Sequence, residues 1–201
     1  MIRDLIIRHP VNLTTETVLK VAFPVIFVFY LLIYTSCSRK HYPVSSFPNI
    51  ETSADKEKLK VFIENGTEKK INGNNSSAEE IIKTARTYFG VPHCMGGRTR
   101  NCMDCSGLLV KVFADHGIYL PHNSEEQARY GKILTRKNDL IEGDLVFFVR
   151  SYKTRRFITH SGIYAGNGHF IHTSSSRGVT ITSLTDPWWQ DKFIFGTRVF
   201  E

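Results

Sequence analysis

Thr159-His160-Ser161-Gly162-Ile163-Tyr164, then Ala165-Gly166-Asn167-Gly168-His169, then Phe170-Ile171-His172-Thr173, is the stretch from which the architecture is read. Two short runs rich in β-branched and aromatic residues flank a glycine-rich turn, the pattern of a β-hairpin. Each run carries a histidine. A three-residue turn, Ala165-Gly166-Asn167, pairs Tyr164 with Gly168 and therefore His160 with His172. Any register whose paired residue numbers sum to an even value puts both histidines on one face, because side chains alternate along a strand. An odd sum separates them unless a bulge intervenes. Directly opposed residues have Cβ atoms ~5 Å apart, within reach of a ring-to-ring hydrogen bond.

Working outward, Leu145 to Val149 is an unbroken apolar run after Gly143-Asp144 and reads as a buried strand. Val179 to Ile181 and Phe193 to Phe200 read as two more strands. Before residue 131 the apolar period is helical. Ser76 and Ser77, each with a glutamate three residues later, offer two capping-box registers for a helix from Ala78 to Phe89, stopped by Gly90 and Pro92. A second helix starts around Asp104-Cys105-Ser106, with Leu108, Leu109, Val112 and Phe113 as its stripe and Gly117 at its end. A third, Ser124 to Tyr130, has Asn123 and Ser124 as cap candidates. Helices first and an antiparallel sheet of about five or six strands afterwards make an α+β domain.

The chain has 201 residues, enough for one domain with appendages. Its net charge of +7 reads as a basic solvated surface. No dense lysine–arginine stripe or nucleic-acid-binding motif is present, so nucleic acid is not expected as a partner. Lys20 precedes an apolar run from Val21 to Leu32, short for a bilayer span of ~20 residues, which leaves an uncleaved signal anchor as the alternative reading. A basic start, a short apolar core and small residues before Cys37 describe an export signal. Residues 38–77 are rich in Ser, Asn, Lys, Glu and Pro, and read as a flexible tether with one weak helix over Lys56 to Ile63.

Cys105 stands at a helix N-terminus, where unpaired N–H groups and the helix dipole favour a thiolate. A nearby imidazole, His160, would hold that thiolate and protonate a leaving amine, and His172 would orient His160.

Gly96-Gly97, Asp104-Cys105-Ser106-Gly107-Leu108, Leu120-Pro121 with Ser124 and Gln127, Gly143-Asp144-Leu145-Val146-Phe147-Phe148, and the two histidine strands resemble, in order, the motifs of the NlpC cell-wall endopeptidase family. The similarity runs from about Ala78 to Phe200. It implies a papain-like fold and a cysteine peptidase with Cys105, His160 and His172 as catalytic residues and no cofactor. Its substrate would be peptidoglycan stem peptides, cut at the γ-D-glutamyl–diaminopimelate bond or a neighbouring one. His93, Asp104 and Ser106 are implied in substrate or oxyanion binding, together with the Cys105 backbone N–H. Asp104 is also a helix cap, and the resemblance implies that it holds the substrate's free amine. The chain departs from the family at His93, where a tyrosine is usual, and at Met95, where an aromatic residue is usual.

The stretch ending at Cys37 resembles a bacterial lipobox, with Tyr34 where a leucine is usual. That implies a signal peptide over 1–36, a lipidated N-terminus and tether over 37–77, and a catalytic domain over 78–201. The protein would be an exported lipoprotein held in the membrane by its lipid, and Ser38 points to the outer membrane facing the periplasm. A regulatory protein is left unspecified. Cys94 and Cys102 are additional to the family pattern. Export favours a Cys94–Cys102 disulfide, with Cys102–Cys105 pairing as the alternative. Cys102-x-x-Cys105 with His93 and Cys94 could bind zinc, but a second Cys-x-x-Cys is missing and no metal is expected. Trp188 and Trp189 are either a sugar platform or core packing. A non-catalytic wall-binding protein, and an amidase or acyltransferase acting on another substrate, are the competing readings.

Overall fold

The computed structural model describes residues 42–71 and 76–200. The expected signal peptide, Cys37 and residues 72–75 of the expected linker lie outside the described residues.

Six strands form one antiparallel sheet: β1 Lys132–Leu134, β2 Leu145–Val149, β3 Ile158–Tyr164, β4 His169–Ser174, β5 Gly178–Ser183 and β6 Phe193–Arg198. Their order is β1-β6-β2-β3-β4-β5. β1 was not anticipated, because three residues are too few to show alternation. β2 is buried along its whole length. Leu145, Phe147 and Val149 join Ile163, Ile171 and Phe195 in the larger core, whereas Val146 and Phe148 join Phe170, Trp189 and Phe193 in a second one. A strand covered on both faces reads as a continuous apolar run, which is what its sequence shows.

The central hairpin has a longer turn than the expected three residues. Tyr164 pairs with Phe170 and Ile163 with Ile171. Gly166, Asn167 and Gly168 all have positive φ, at 82°, 50° and 71°. The register sum is still even, so His160 and His172 keep one face. Continuing that register puts Gly162, not His160, opposite His172. A Cβ at Gly162 would stand 2.8 Å from both the Ile171 carbonyl oxygen and the Phe170 ring, so only glycine fits there.

Among the described residues, four α-helices precede or flank the sheet: α1 Ser53–Glu64, α2 Ala78–Arg86, α3 Cys105–Ala114 and α4 Ser124–Gln127. α2 uses the Ser77–Glu80 capping box. It stops before the expected Phe89 because the Gly90 N–H already pairs with the Val179 carbonyl of β5. α4 stops before the expected Tyr130 because Arg129 and Gly131 exchange backbone hydrogen bonds with Lys69.

The expected tether over 37–77 is corrected from residue 42 to 71, where the chain belongs to the folded domain. The Thr52 hydroxyl caps α1 by accepting the Asp55 N–H at 3.0 Å. Asp55, Leu59 and Phe62 repeat at helical spacing and are buried. The Phe62 ring lies 5.9 Å from Phe195, and Phe47 lies 5.8 Å from the same ring. Arg129 stacks over Phe62 at 4.6 Å and donates to the Phe62 and Gly66 carbonyls at 3.0 and 2.8 Å, satisfying acceptors at the end of α1. The composition looked tether-like because the outer face of α1 is lysine and glutamate.

Leu59→Ala should lower the unfolding free energy by about 2–5 kcal/mol, the range for a truncated core leucine. The neighbouring surface change Lys60→Ala should stay within about 0.5 kcal/mol. Urea denaturation of both variants makes the comparison, and a neutral Leu59→Ala would return this segment to the role of a tether.

Candidate active site

The site starts from the cap of α3. Asp104 Oδ1 accepts the Gly107 N–H at 2.7 Å, the Ser106 hydroxyl at 2.9 Å and His122 Nε2–H at 3.0 Å. Its Oδ2 accepts the Gly96 N–H at 2.8 Å. Burial pushes this carboxyl up, but the four hydrogen bonds outweigh it and hold Asp104 below the ordinary carboxylate value. The Asp104 carbonyl in turn accepts the Thr173 hydroxyl of β4 at 3.2 Å. The start of α3 is thereby joined to the glycine loop, to His122 and to the sheet.

Two glycines let these parts approach. A Cβ on Gly107 would stand 2.0 Å from the Gly97 carbonyl oxygen, and one on Gly97 would stand 2.3 Å from Cys94 Sγ. Cys94 and Cys102 are joined as a disulfide that closes the loop between them. His93, Met95 and Gly96 of that region line the cleft. Cys105 is the free cysteine among the described residues.

Cys105 is the first residue of α3, and its Sγ lies 3.5 Å from the Ser124 hydroxyl. A polar chain continues behind it. Gln127 Nε2 donates to the Ser106 and Pro121 carbonyls, both at 2.9 Å, so its Oε1 accepts the Ser161 hydroxyl at 3.0 Å. Ser161 has then used its proton and accepts from Ser124 at 3.1 Å. That order makes Cys105 the donor to Ser124. Burial pushes the Cys105 thiol up from its ordinary 9.0, and the Asp104 charge adds to this. Hydrogen bonding at the sulfur by Ser124 and by the backbones of Ser161 and Ser106 opposes the shift without reversing it. A Ser124 proton already given to Ser161 is not available to a thiolate, which reinforces the direction.

His160 lies on β3 and faces the same cleft. Its Nε2 is 2.9 Å from His172 Nδ1, and His172 Nε2 is 2.9 Å from the Thr182 hydroxyl of β5. Thr182 also accepts from Arg177 Nη2 at 3.1 Å. Trp189 closes over both imidazoles, with ring centroids at 4.6 and 5.0 Å. Burial lowers His160 well below its ordinary 6.5, and the neighbouring His172 and His93 act in the same direction. Burial and the Arg177 charge bring His172 down to about 3. Both shifts favour the thiol and the neutral imidazole. At Cys105, burial and the Asp104 charge work against the thiolate that the helix N-terminus favours.

The cleft has a volume of about 640 Å³ and brings Cys105, His160, His93, Asp104 and Ser106 together, with His172 behind His160. The Ser106 hydroxyl is turned inward to Asp104, so it supports the cap. The tryptophan pair divides: Trp189 is core, and Trp188 is exposed at the cleft. Among the described residues, no group of three or more His, Cys, Asp or Glu side chains is placed to hold a metal ion. Thr182 joins the site through His172, and His122, Arg156 and Arg177 line its cleft; none of the four is among the expected site residues. Thr182 was within reach of the parity rule, since it pairs with Phe170 and so shares the face of His172. His122 and the arginines carry no local signal, because they reach the cleft from turns.

Residues 90–198 match the model of the NlpC/P60 family. The chain is 42% identical over 123 residues to the gamma-DL-glutamyl hydrolase of Bacillus subtilis, covering 60% of this chain and 29% of that protein. It is 41% identical over 120 residues to the murein DD-endopeptidase MepS/murein LD-carboxypeptidase of Escherichia coli, covering 59% of this chain and 61% of that one. The chain thus spans less than two thirds of the length of either relative. A crystal structure of an NlpC/P60 family protein from Bacillus cereus superposes with a TM-score of 0.57 at 29% identity, over 63% of this chain and 41% of that one.

Mass mapping of the unreduced protein should recover Cys94 and Cys102 in one bridged peptide, with Cys105 open to alkylation. A bridge that includes Cys105 would contradict this geometry. Replacing both Cys94 and Cys102 by serine should lower stability by about 2–3 kcal/mol, the chain-entropy value for so short a loop.

Proposed function

Since this chain belongs to the NlpC/P60 family, we propose that it is a cysteine endopeptidase of peptidoglycan stem peptides, with Cys105 as its nucleophile. The observation that carries this reading is the continuous chain from His160 through His172 to Thr182, facing one cleft with a free cysteine at a helix start. Its preferred bond is the γ-D-glutamyl–diaminopimelate amide or a neighbouring stem bond. The likeness to a gamma-DL-glutamyl hydrolase supports the first choice.

The chemistry proceeds from a neutral pair. His160 Nε2 is taken by His172, so Nδ1 is the nitrogen left for the thiol. General-base action then requires His160 Nε2–H to donate to His172 Nδ1, and His172 Nε2–H to donate to Thr182, whose second lone pair holds Arg177. Cys105 passes its proton to His160 as the sulfur–carbon bond forms at the amide carbonyl. The oxyanion meets the backbone N–H of Cys105, which has no partner inside the helix at this position, with the His93 ring as a second donor. The carbon–nitrogen bond breaks as His160 returns the proton to the amine. Water then attacks the thioester with His160 as base, releasing the acid and restoring the thiol. Asp104 Oδ2 has one protein donor and keeps acceptor capacity for a substrate amine.

We read residues 1–36 as a signal peptide and Cys37 as a lipidated N-terminus. On that reading the folded domain, expected from residue 78 and extended here to 42, lies outside the cytoplasm at the outer membrane. The Cys94–Cys102 disulfide supports export, since such bonds persist in oxidising compartments.

Incubation with purified muropeptides, followed by mass spectrometry, should show stem-peptide cleavage that Cys105→Ala reduces to less than about a thousandth. Cleavage that survives Cys105→Ala would sink the nucleophile assignment, and absence of cleavage would sink the activity. His160 must be neutral to accept the thiol proton and its value lies well below 6.5, while Cys105 lies above 9.0. The kcat/KM profile should therefore stay level from pH 6.5 to 9.0, falling on the acid side only below 6.5. An acid limb centred at 6.5 or above would refute the dehydrated imidazole.

A further inference from the structure

A second cavity, of about 380 Å³, adjoins the catalytic cleft and shares Ser151, Tyr152, Arg156 and Trp188 with it. Its other walls come from α1, through Asp55 and Lys58, and from the loop between β2 and β3. α1 lies ahead of the family-matched residues 90–198, so this wall is outside what the family shares.

The loop is held in an uncommon shape. Arg150 has φ +55°, in the left-handed region that side chains rarely adopt. Its guanidinium is fixed by three acceptors: Asp55 Oδ2 at 2.7 Å, the Asp191 carbonyl at 2.9 Å and the Asn49 carbonyl at 3.3 Å. Asp55 is the acid of the cavity wall, and this pair uses its charge. Glu125 is also taken, since it accepts the Phe157 and Ile158 N–H groups at 2.7 and 3.1 Å. What remains is positive. Lys58, Lys153 and Arg156 line the cavity and form no ion pair among the described residues. The backbone N–H groups of Tyr152, Lys153, Thr154 and Arg155 have no acceptor among the described residues either. Point charges and N–H groups arriving from both a helix and a loop suit a tetrahedral phosphate better than a planar carboxylate.

The same cavity carries the side chains of a water–lipid boundary. Tyr152 and Trp188 line it and are exposed, and neither the phenol nor the indole N–H has a hydrogen-bond partner among the described residues. The Lys192 ammonium lies 4.1 Å from the Trp188 ring. Amphipathic rings beside long cationic side chains settle at the headgroup level of a bilayer. The chain ahead of the domain agrees with this. Between Cys37, read above as lipidated, and Tyr42 stand Ser38, Arg39, Lys40 and His41. Fully extended, that stretch reaches at most about 18 Å, less than the ~30 Å width of a small domain. A domain tethered so closely rests on the surface that holds it. The segment that follows runs to the cavity itself, where the Asn49 carbonyl meets Arg150.

We propose that this cavity receives the phosphate of an anionic phospholipid headgroup, and so docks the domain on the membrane by the face beside its catalytic cleft. The proposal rests on the membrane reading of the N-terminus. Tyr152, Arg156 and Trp188 belong to both cavities, so docking sets the mouth of the cleft against the bilayer.

The full chain is incorporated into phosphatidylcholine vesicles with or without phosphatidylglycerol, using lipids brominated on their acyl chains as quenchers. The chain has two tryptophans; Trp189 is buried and Trp188 is exposed, so Trp188 fluorescence reports contact. Quenching should appear when phosphatidylglycerol is present. It should fade as salt is raised from 0.1 to 1 M, where the screening length falls from about 10 to 3 Å. Lys58→Gln with Lys153→Gln should lower the docked-to-undocked ratio at least about tenfold, the scale of two cations withdrawn from an anionic surface. Both lysines lie outside the catalytic cleft, so unchanged muropeptide cleavage in solution checks the fold of this variant. The proposal is overturned if phosphatidylglycerol adds no quenching, if quenching survives both high salt and the double variant, or if Trp188→Phe leaves it unchanged. Displacement by an equal concentration of soluble glycerol phosphate would assign the cavity to a free phosphate ester and overturn the lipid. Flotation of the same vesicles separates the two readings. A chain that floats on phosphatidylcholine alone without the added quenching is anchored and undocked. One that floats only with phosphatidylglycerol, and needs Lys58 and Lys153 to do so, is docked without an anchor.

Discussion

The Asp104 carboxylate is the point on which the site hangs. Four donors from three separate stretches of chain converge on it: the Gly96 loop, the first turn of α3 and His122. A carboxylate so surrounded stays ionised despite burial. Its own carbonyl holds Thr173, and Thr173 adjoins His172 on β4. Cys105 and the histidine strands come from distant parts of the sequence. One helix cap joins them, and close approach at Gly97 and Gly107 makes that cap possible.

Burial pushes the Cys105 thiol up and His160 down, and the charged neighbours of each act in the same direction. The hydrogen-bond chain from Gln127 through Ser161 to Ser124 is satisfied with Cys105 protonated. On the other side, Trp189 shields the imidazole pair, and Thr182 and Arg177 close the far end. Polar groups in such a setting need full partnering, because an unpaired one in a low-dielectric interior is costly. The His160–His172–Thr182 chain meets that requirement and uses His160 only through Nε2.

The walls of the cleft are stiffened by different means. On one side, the Cys94–Cys102 bond closes the loop that carries Met95 and Gly96. On the far side of the larger core, α1 packs Leu59 and Phe62 against the sheet through Phe195 and Phe157. Arg150 reaches from the end of β2 to Asp55 of α1 at 2.7 Å. This arm sits beside the 150–157 loop, whose Tyr152 and Arg156 line the cleft. The segment ahead of the family-matched region therefore contributes to the domain's shape and is more than a spacer.

By itself the sequence determined whatever depends on period and local chemistry. Alternation put His160 and His172 on one face under any even register, and the observed sum is even. The Ser77–Glu80 box, the Asp104 cap and the continuous burial of β2 follow from side chains acting within a few residues of themselves. Only the tertiary structure decided which residue faces His172, because turn length depends on three positive-φ residues whose conformations the sequence does not distinguish. It alone decided that α1 is core, since an amphipathic helix with a polar outer face looks like a tether until Phe195 is brought to it. And it alone brought opposing influences to Cys105. A helix N-terminus is a local feature that favours the thiolate, but burial is a sum over atoms from every neighbouring element, and here it pushes the thiol up.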